Sequence, residues 1–280
     1  MIKEIGIIGN GFVGGAIGFG FSPAVPVNIY DIDPNLSTST LSDTVNKSDV
    51  IFVCVPTPMN RDGSINLNIV ESAFNSIDEV NTRDDNVVVL KSTVVPGTCD
   101  ALSRKFPNLN IVFNPEFLTE RKAKFDFLNQ ARVVIGGEVA HVKKVAQLYN
   151  MRFKSPRIIF TNTKTAEFIK YFNNVFFAVK VSFANEMKRI ASNDGIDWDA
   201  ALAGFVADGR VADSHLQVPG PDGKPGFGGT CFPKDICAFM DYAKKLGVDT
   251  DVISGAWKTN LQVRGESDWE KLIGRAVSKD

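Results

Sequence analysis

The sequence predicts an α/β fold: a doubly wound parallel sheet followed by an all-helical domain. Three observations predict it. Short apolar, β-branched runs recur through the first 160 residues, with helix-length segments between several of them. The first run ends in a cluster of glycines. After Thr161 the strand-like runs stop and long stretches without Gly or Pro take over. Length agrees, since 280 residues at roughly 150 per domain make about two domains. The boundary falls at 1–160 and 161–280.

The strands come first. Lys3–Ile8 is a short apolar run ending in glycines, as a strand buried on both faces would be. Similar runs follow at Val27–Tyr30, Val50–Val55, Val87–Leu90, Ile111–Phe113, Val133–Ile135 and Ile158–Phe160. Asn68–Val80 and Val139–Tyr149 are the clearest helices between them. The Ser/Thr-rich stretch Leu36–Ser48 reads as a surface loop with room for a short helix. Thr163–Asn193 contains no Gly or Pro and predicts one helix, a rod of roughly 45 Å. Thr163 is its expected N-cap and Asp194-Gly195 its stop. Ala200–Val206, Ile236–Leu246 and Val252–Val277 supply further helices. Val175, Phe176, Val179 and Phe183 give the long helix more apolar surface than a small domain covers. A homodimer through that helix is therefore expected.

Composition excludes several classes. There are 31 Lys+Arg against 32 Asp+Glu, a formal charge of −1, which argues against a nucleic-acid partner. The chain is 44% hydrophobic and 22% charged, ordinary for a globular protein. No apolar run is long enough to span a membrane, and the N-terminus does not read as a secretory signal, so a cytoplasmic protein is expected. Cys54, Cys99, Cys231 and Cys237 have no CxxC spacing, and neither a disulfide scaffold nor a metal site is expected.

Gly9-Asn10-Gly11-Phe12-Val13-Gly14 fits GxGxxG between a strand-like and a helix-like segment. Gly9 permits a tight turn, Gly11 lets a pyrophosphate approach the backbone, and Gly14 allows close helix–strand packing. The helix N-terminus would offer its free N–H groups to the phosphates. Asp31 ends the next strand at the spacing of the acid that bonds an adenosine ribose. A carboxylate there repels a 2′-phosphate, so NAD is expected rather than NADP. This is a Rossmann-like reading; the plain alternative is an ordinary turn with a capping Asp.

Pro225 through Asp235 is the most informative segment. Gly226, Gly228 and Gly229 would bring backbone N–H groups close to a ligand. Cys231 closes the loop, with Lys234 three residues on. A nearby ammonium favours thiolate, the nucleophilic form. Asp235 would position Lys234 or a water. A buried structural cysteine in a tight loop accounts for the same residues. On the long helix, Glu167, Lys170 and Asn174 share one face. Lys and Asn together suit an alkoxide or oxyanion. A solvated face with a helical ion pair is the commoner meaning of such a pattern.

Taken together, the motifs resemble the UDP-glucose/GDP-mannose dehydrogenase family. The anchors are Gly9–Gly14, Val55-Pro56-Thr57-Pro58, Ser92 through Thr98, Asn114 through Glu120, Lys170 with Asn174, and Gly226 through Asp235. The resemblance implies oxidation of a sugar C6 alcohol to a carboxylate, with two NAD per turnover. Cys231 would attack the intermediate aldehyde, and the thiohemiacetal would become a thioester that water hydrolyses. Lys170 and Asn174 match residues that handle the oxyanion. Thr93, Glu120 and Asp235 match positions near the reacting water or nicotinamide. Val55, Pro56, Thr57 and Lys234 are carried over to the cofactor. Glu116, Phe117, Leu118, Phe227, Gly228 and Gly229 are carried over to the nucleotide sugar. Arg210 resembles an arginine that reaches the substrate from the neighbouring subunit.

Three departures stand out. The stretch from Asp31 to Val50 is shorter than the family's and lacks an early basic residue. Val218–Lys224 looks like an insertion whose Lys224 would reach a phosphate. The chain ends at Asp280, where the family normally continues into a second Rossmann-like domain; the sequence leaves open whether a separate polypeptide supplies it. Two other readings compete. A two-domain β-hydroxyacid dehydrogenase shares the architecture and the Lys–xxx–Asn helix but needs no thiol. A non-catalytic NAD-binding remnant would not need Cys231, Lys170, Asn174 and Asp235 together.

Overall fold

The computed structural model describes residues 2–279, in two units. The first takes the chain up to Thr57 together with Asn66–Lys170; the second takes Pro58–Ile65 and the chain from Tyr171 onward.

The first unit is a seven-stranded sheet: β1 (Ile5–Ile8), β2 (Val27–Tyr30), β3 (Val50–Val53), β4 (Val87–Leu90), β5 (Asn110–Phe113), β6 (Arg132–Gly136) and β7 (Arg157–Thr161). The order is β2-β1-β3-β4-β5-β6-β7. The first five strands pair in parallel, as do β6 and β7. One expectation needs correcting: β5 and β6 pair antiparallel through Phe113 and Gly136, so the sheet is mixed. The connection between them carries only a short helix. That helix packs on α1 (Phe12–Phe21) so tightly that a Cβ on Gly20 would lie 2.4 Å from the Phe127 ring. A chain led aside in this way makes no crossover helix and re-enters from the opposite end.

The other helices of this unit are α2 (Leu41–Asn46), α3 (Asn68–Val80), α4 (Thr98–Lys105), α5 (Ala123–Leu128) and α6 (Val139–Arg152). Alternate strand residues feed two cores, the signature of strands covered on both faces. Ile5, Ile7, Phe52, Val87 and Val89 meet α1, α5 and α6. Ile51, Val53, Val88, Leu90 and Phe113 meet α2, α3 and α4. Phe21 centres the first core, with the rings of Phe52, Phe127, Tyr149 and Phe153 at 5.2–5.9 Å. The Leu36–Ser48 stretch holds α2, capped by Thr40, whose hydroxyl accepts the Asp43 N–H.

α7 (Thr163–Asn193) has the expected limits, but its cap is Asn162. The Asn162 side chain accepts the Thr165 N–H at 2.7 Å, while the Thr163 hydroxyl donates to Asp100. Gly195 ends the helix at φ +68°. The second unit adds α8 (Trp198–Val206), α9 (Phe232–Lys245) and α10 (Asp251–Arg264) around a small core of Ala178, Phe227 and Ile236. The helix expected over Val252–Val277 stops at Arg264, because Gly265 turns left-handed at φ +75°. The chain then makes a 3-10 turn and pairs Val277 with Met59.

Phe21 is fully buried. Phe21→Ala is expected to cost about 3–5 kcal/mol, measured by urea denaturation. A loss under about 1 kcal/mol would contradict its central place in this core.

Candidate active site

The C-terminal ends of β1 and β3 meet where the strand order reverses, the switch point at which open α/β sheets bind ligands. Gly9 turns at φ +91°, and a Cβ there would lie 2.7 Å from Cys54 O. A Cβ on Gly14 would lie 2.0 Å from Gly9 O. Both positions therefore demand glycine. Gly11 differs: a Cβ there would meet nothing within 4 Å. Gly11 is the N-cap of α1 and supplies no side-chain cap, so the N–H groups beginning at Phe12 and Val13 suit an outside acceptor. Asp31 follows β2, with its Oδ2 accepting the Asn10 N–H at 2.6 Å, so the acid stands at the glycine turn. These residues fit a dinucleotide.

Val55, Pro56 and Thr57 follow β3, and Ser92 Oγ donates to Val55 O at 2.6 Å, tying them to the segment with buried Thr93. Glu120 is exposed at the start of a 3-10 turn.

A buried polar cluster stands at the end of β5. Lys170 Nζ donates to Glu116 Oε1 at 2.7 Å, and both side chains are nearly out of water. Glu116 Oε2 accepts the Leu118 N–H at 2.6 Å, so that amide serves the carboxylate. The Phe117 ring lies 4.1 Å from the Arg132 guanidinium and 5.7 Å from Lys170 Nζ. Burial raises the Glu116 carboxyl, but the charge and hydrogen bond of Lys170, the Leu118 amide and Lys91 outweigh it and hold it below its ordinary value. Lys91 was not singled out by sequence. It is buried at the end of β4, donating to Asn114 Oδ1 at 3.0 Å, and burial pulls it down to about 8. The available signal was a lone Lys closing an apolar strand.

The solvated-face reading of α7 is wrong. Glu167, Lys170 and Asn174 are all buried, and each serves a different partner. Glu167 accepts the Gly97 and Cys99 N–H groups at 2.6 and 2.7 Å, capping α4. In the second unit, Asn174 Nδ2 donates to Asp235 Oδ2 at 2.6 Å. Lys234 Nζ donates to Asp235 Oδ1, so its ammonium is matched by a carboxylate. Cys231 is the N-cap of α9, its carbonyl accepting the Asp235 N–H at 2.9 Å. Thiol and carboxylate are thus one helical turn apart. A thiol at a helix N-terminus is favoured as thiolate by the dipole.

The glycine loop also differs from expectation. The N–H groups of Gly226, Phe227 and Gly229 donate to Asn185, Asn260 and Asp268 of the protein itself. They are not waiting for a ligand. Arg210 is exposed and held by Asp208. Lys224 pairs with Glu266 instead of projecting toward a phosphate.

Fold and glycine turn together define a dinucleotide-binding α/β protein whose helical unit presents a thiol. Residues 31–152 match the NAD binding domain of the UDP-glucose/GDP-mannose dehydrogenase family, and residues 164–262 match its central domain. The chain belongs to that family. It is 33% identical over 253 residues to the UDP-glucose 6-dehydrogenase TuaD of Bacillus subtilis, covering 88% of this chain and 53% of that one. The chain spans about half the length of the UDP-glucose 6-dehydrogenases it matches. Among solved structures, a UDP-glucose dehydrogenase from Pyrobaculum islandicum superposes with TM-score 0.82 at 27% identity, over 94% of this chain and 68% of that one. A Mycobacterium tuberculosis 3-hydroxyisobutyrate dehydrogenase shares the fold at TM-score 0.76 and 17% identity, over 95% of both chains. Among the described residues, no helix is long and apolar enough to cross a membrane.

Burial holds the Glu167 carboxyl up at about 7 against an ordinary 4.5, despite its two amide donors. The folded state then binds more protons than the unfolded chain between those values, so stability falls as pH rises through that window and is level above it. Glu167→Gln keeps an acceptor without the titration. The stability advantage of wild type over Glu167→Gln, from urea denaturation, is expected to shrink between these pH values. An advantage independent of pH would contradict the shift.

Proposed function

We propose that the chain is an NAD-dependent nucleotide-sugar 6-dehydrogenase, oxidising the C6 alcohol of UDP-glucose to the carboxylate of UDP-glucuronate in the cytoplasm. The observation that carries this reading is Cys231 at the N-terminus of α9, one turn before Asp235, with Asn174 bonded to that acid. A single alcohol oxidation needs no thiol. Oxidation past the aldehyde gains from one, because the sulfur holds the carbonyl while cofactor is exchanged.

Gly9, Gly11, Phe12, Val13, Gly14, Asp31, Val55, Pro56 and Thr57 would hold the cofactor, with Thr93, Glu120 and Lys234 beside it. Bound NAD supplies the hydride acceptor for both oxidations. Cys231 adds to the aldehyde carbon as thiolate, and the resulting oxyanion is met by the Lys170 ammonium and the Asn174 amide. Glu116 supplies the anion that a buried ammonium requires. After the second oxidation the carbon is a thioester, and Asp235 orients the water that releases the acid and restores the thiol. Phe117, Leu118, Phe227, Gly228 and Gly229 would line the sugar through contacts other than the amides of Leu118, Phe227 and Gly229, which are taken within the protein.

The same reading includes a homodimer. Of the residues expected at the interface, Val175 is buried. Phe172, Phe176, Phe183, Met187 and Ile190 are exposed, and their spacing forms one stripe along α7. Arg210 would reach a partner's substrate.

Two outcomes are expected. Wild type should form two NADH per sugar acid, and Cys231→Ala should bind NAD yet form no acid; one NADH per sugar, or acid at near wild-type rate from the variant, would refute the thioester route. In sedimentation, wild type should run as a dimer and Phe176→Glu/Phe183→Glu as a monomer. A fully active wild-type monomer would exclude the interface.

A further inference from the structure

The loop ending at Cys231 is held by side chains of α7, α10 and the turn after α10. Gly226 N–H donates to Asn185 Oδ1 at 3.0 Å, and Phe227 N–H donates to Asn260 Oδ1 at 2.7 Å. Asn260 Nδ2 returns a bond to Phe227 O at 3.0 Å, so one amide satisfies both polar groups of one loop residue. Gly229 N–H donates to Asp268 Oδ2 at 3.1 Å. Arg264 grips Asp268 with Nε on Oδ1 and Nη2 on Oδ2, each at 3.1 Å. Its fork also donates to Pro225 O at 3.3 Å and Asp222 Oδ2 at 2.6 Å. Asn260 is fully buried, Arg264 nearly so, and they stand one turn apart on α10.

The fit leaves no slack. A Cβ on Gly226 would lie 2.4 Å from Asn260 Oδ1, and one on Gly228 would lie 2.2 Å from Asp268 Oδ1. The loop's glycines therefore answer to this brace. A buried Arg between two carboxylates costs desolvation that an apolar contact would avoid, so it is poor economy for stability alone. What it provides is geometry: a planar fork accepts few arrangements.

We propose that Asn260 and Arg264 are positioning residues for the Cys231 thiol. They fix the 225–229 backbone and so keep the sulfur at the N-cap of α9, where the helix end favours thiolate. The inference rests on Cys231 being the reacting thiol.

The test uses the full chain with Asn260→Ala and Arg264→Lys. Lysine keeps the charge between Asp222 and Asp268 but cannot make the fork, so charge balance and geometry are separated. Iodoacetamide labelling across pH, read at each cysteine by peptide mass spectrometry, reports on Cys231, with buried Cys99 and half-buried Cys237 as gauges of general opening. The pH of half-maximal Cys231 labelling is expected to rise by about half a unit in both variants, as a helix-end interaction is lost. Cys99 and Cys237 should label as in wild type. For acid formation, kcat should fall about 10- to 100-fold with KM changed less than about 3-fold, the mark of a misplaced reacting group. An unchanged Cys231 profile in both variants overturns the proposal, as does labelling of Cys99 and Cys237 in step with Cys231. If wild type forms no acid, the dehydrogenase reading fails, while the labelling profile still decides the positioning role.

Discussion

A charge removed from water must find an opposite charge, and the Lys170–Glu116 pair at 2.7 Å imposes that condition on α7. Lys170 lies on the buried face of a long helix whose other side exposes Phe168 and Phe172, so its partner fixes which way that face turns. With that orientation set, Glu167, three residues earlier, reaches the amides of Gly97 and Cys99. Asn174, one turn later, reaches Asp235. One helix face thus answers three separate buried demands: an ammonium, a helix N-terminus and a carboxylate. A slip of one residue would leave all of them unpaired, at a cost of several kcal/mol each for the ions.

Glycine serves two physical ends in this chain. In the first turn, Gly9 and Gly14 are required because backbone comes too close for a side chain, while Gly11 leaves its surroundings open. The first two shape the turn and the third leaves open space beside it. In the loop before Cys231, Gly226 and Gly228 are required because Asn260 and Asp268 occupy the space. A glycine pattern reports close approach without saying whether ligand or protein does the approaching.

Family membership and local geometry bear on different parts of the function. The matches cover the NAD-binding and central domains, and the thiol, its carboxylate and its amide partner all lie in the central one. The chain spans about half the length of the relatives in which both domains are matched.

By itself the sequence determined the strand series, the limits of α3 and α7 and the dinucleotide turn, because these follow from local periodicity, glycine placement and capping chemistry; it put the helix after Cys231 at Ile236, and the structure starts it at Phe232, directly after the thiol. The family's motifs added the candidate roles of Lys170, Asn174 and Asp235. Tertiary structure alone decided the antiparallel entry of β6 and the partners of the buried polar groups, whereas the end of α10 at Gly265 had a local glycine signal that the expected helix ran past. Lys234 illustrates the difference: its spacing from Cys231 suggested a charge for the sulfur, yet its ammonium is matched by Asp235. Asn260 and Arg264 carry no local signal, since an Asn and an Arg one turn apart on a helix usually face water. Their role exists only because the chain brings a loop more than thirty residues away within hydrogen-bond reach. Periodicity is a property of neighbours in sequence; satisfaction of buried polar groups is a property of neighbours in space.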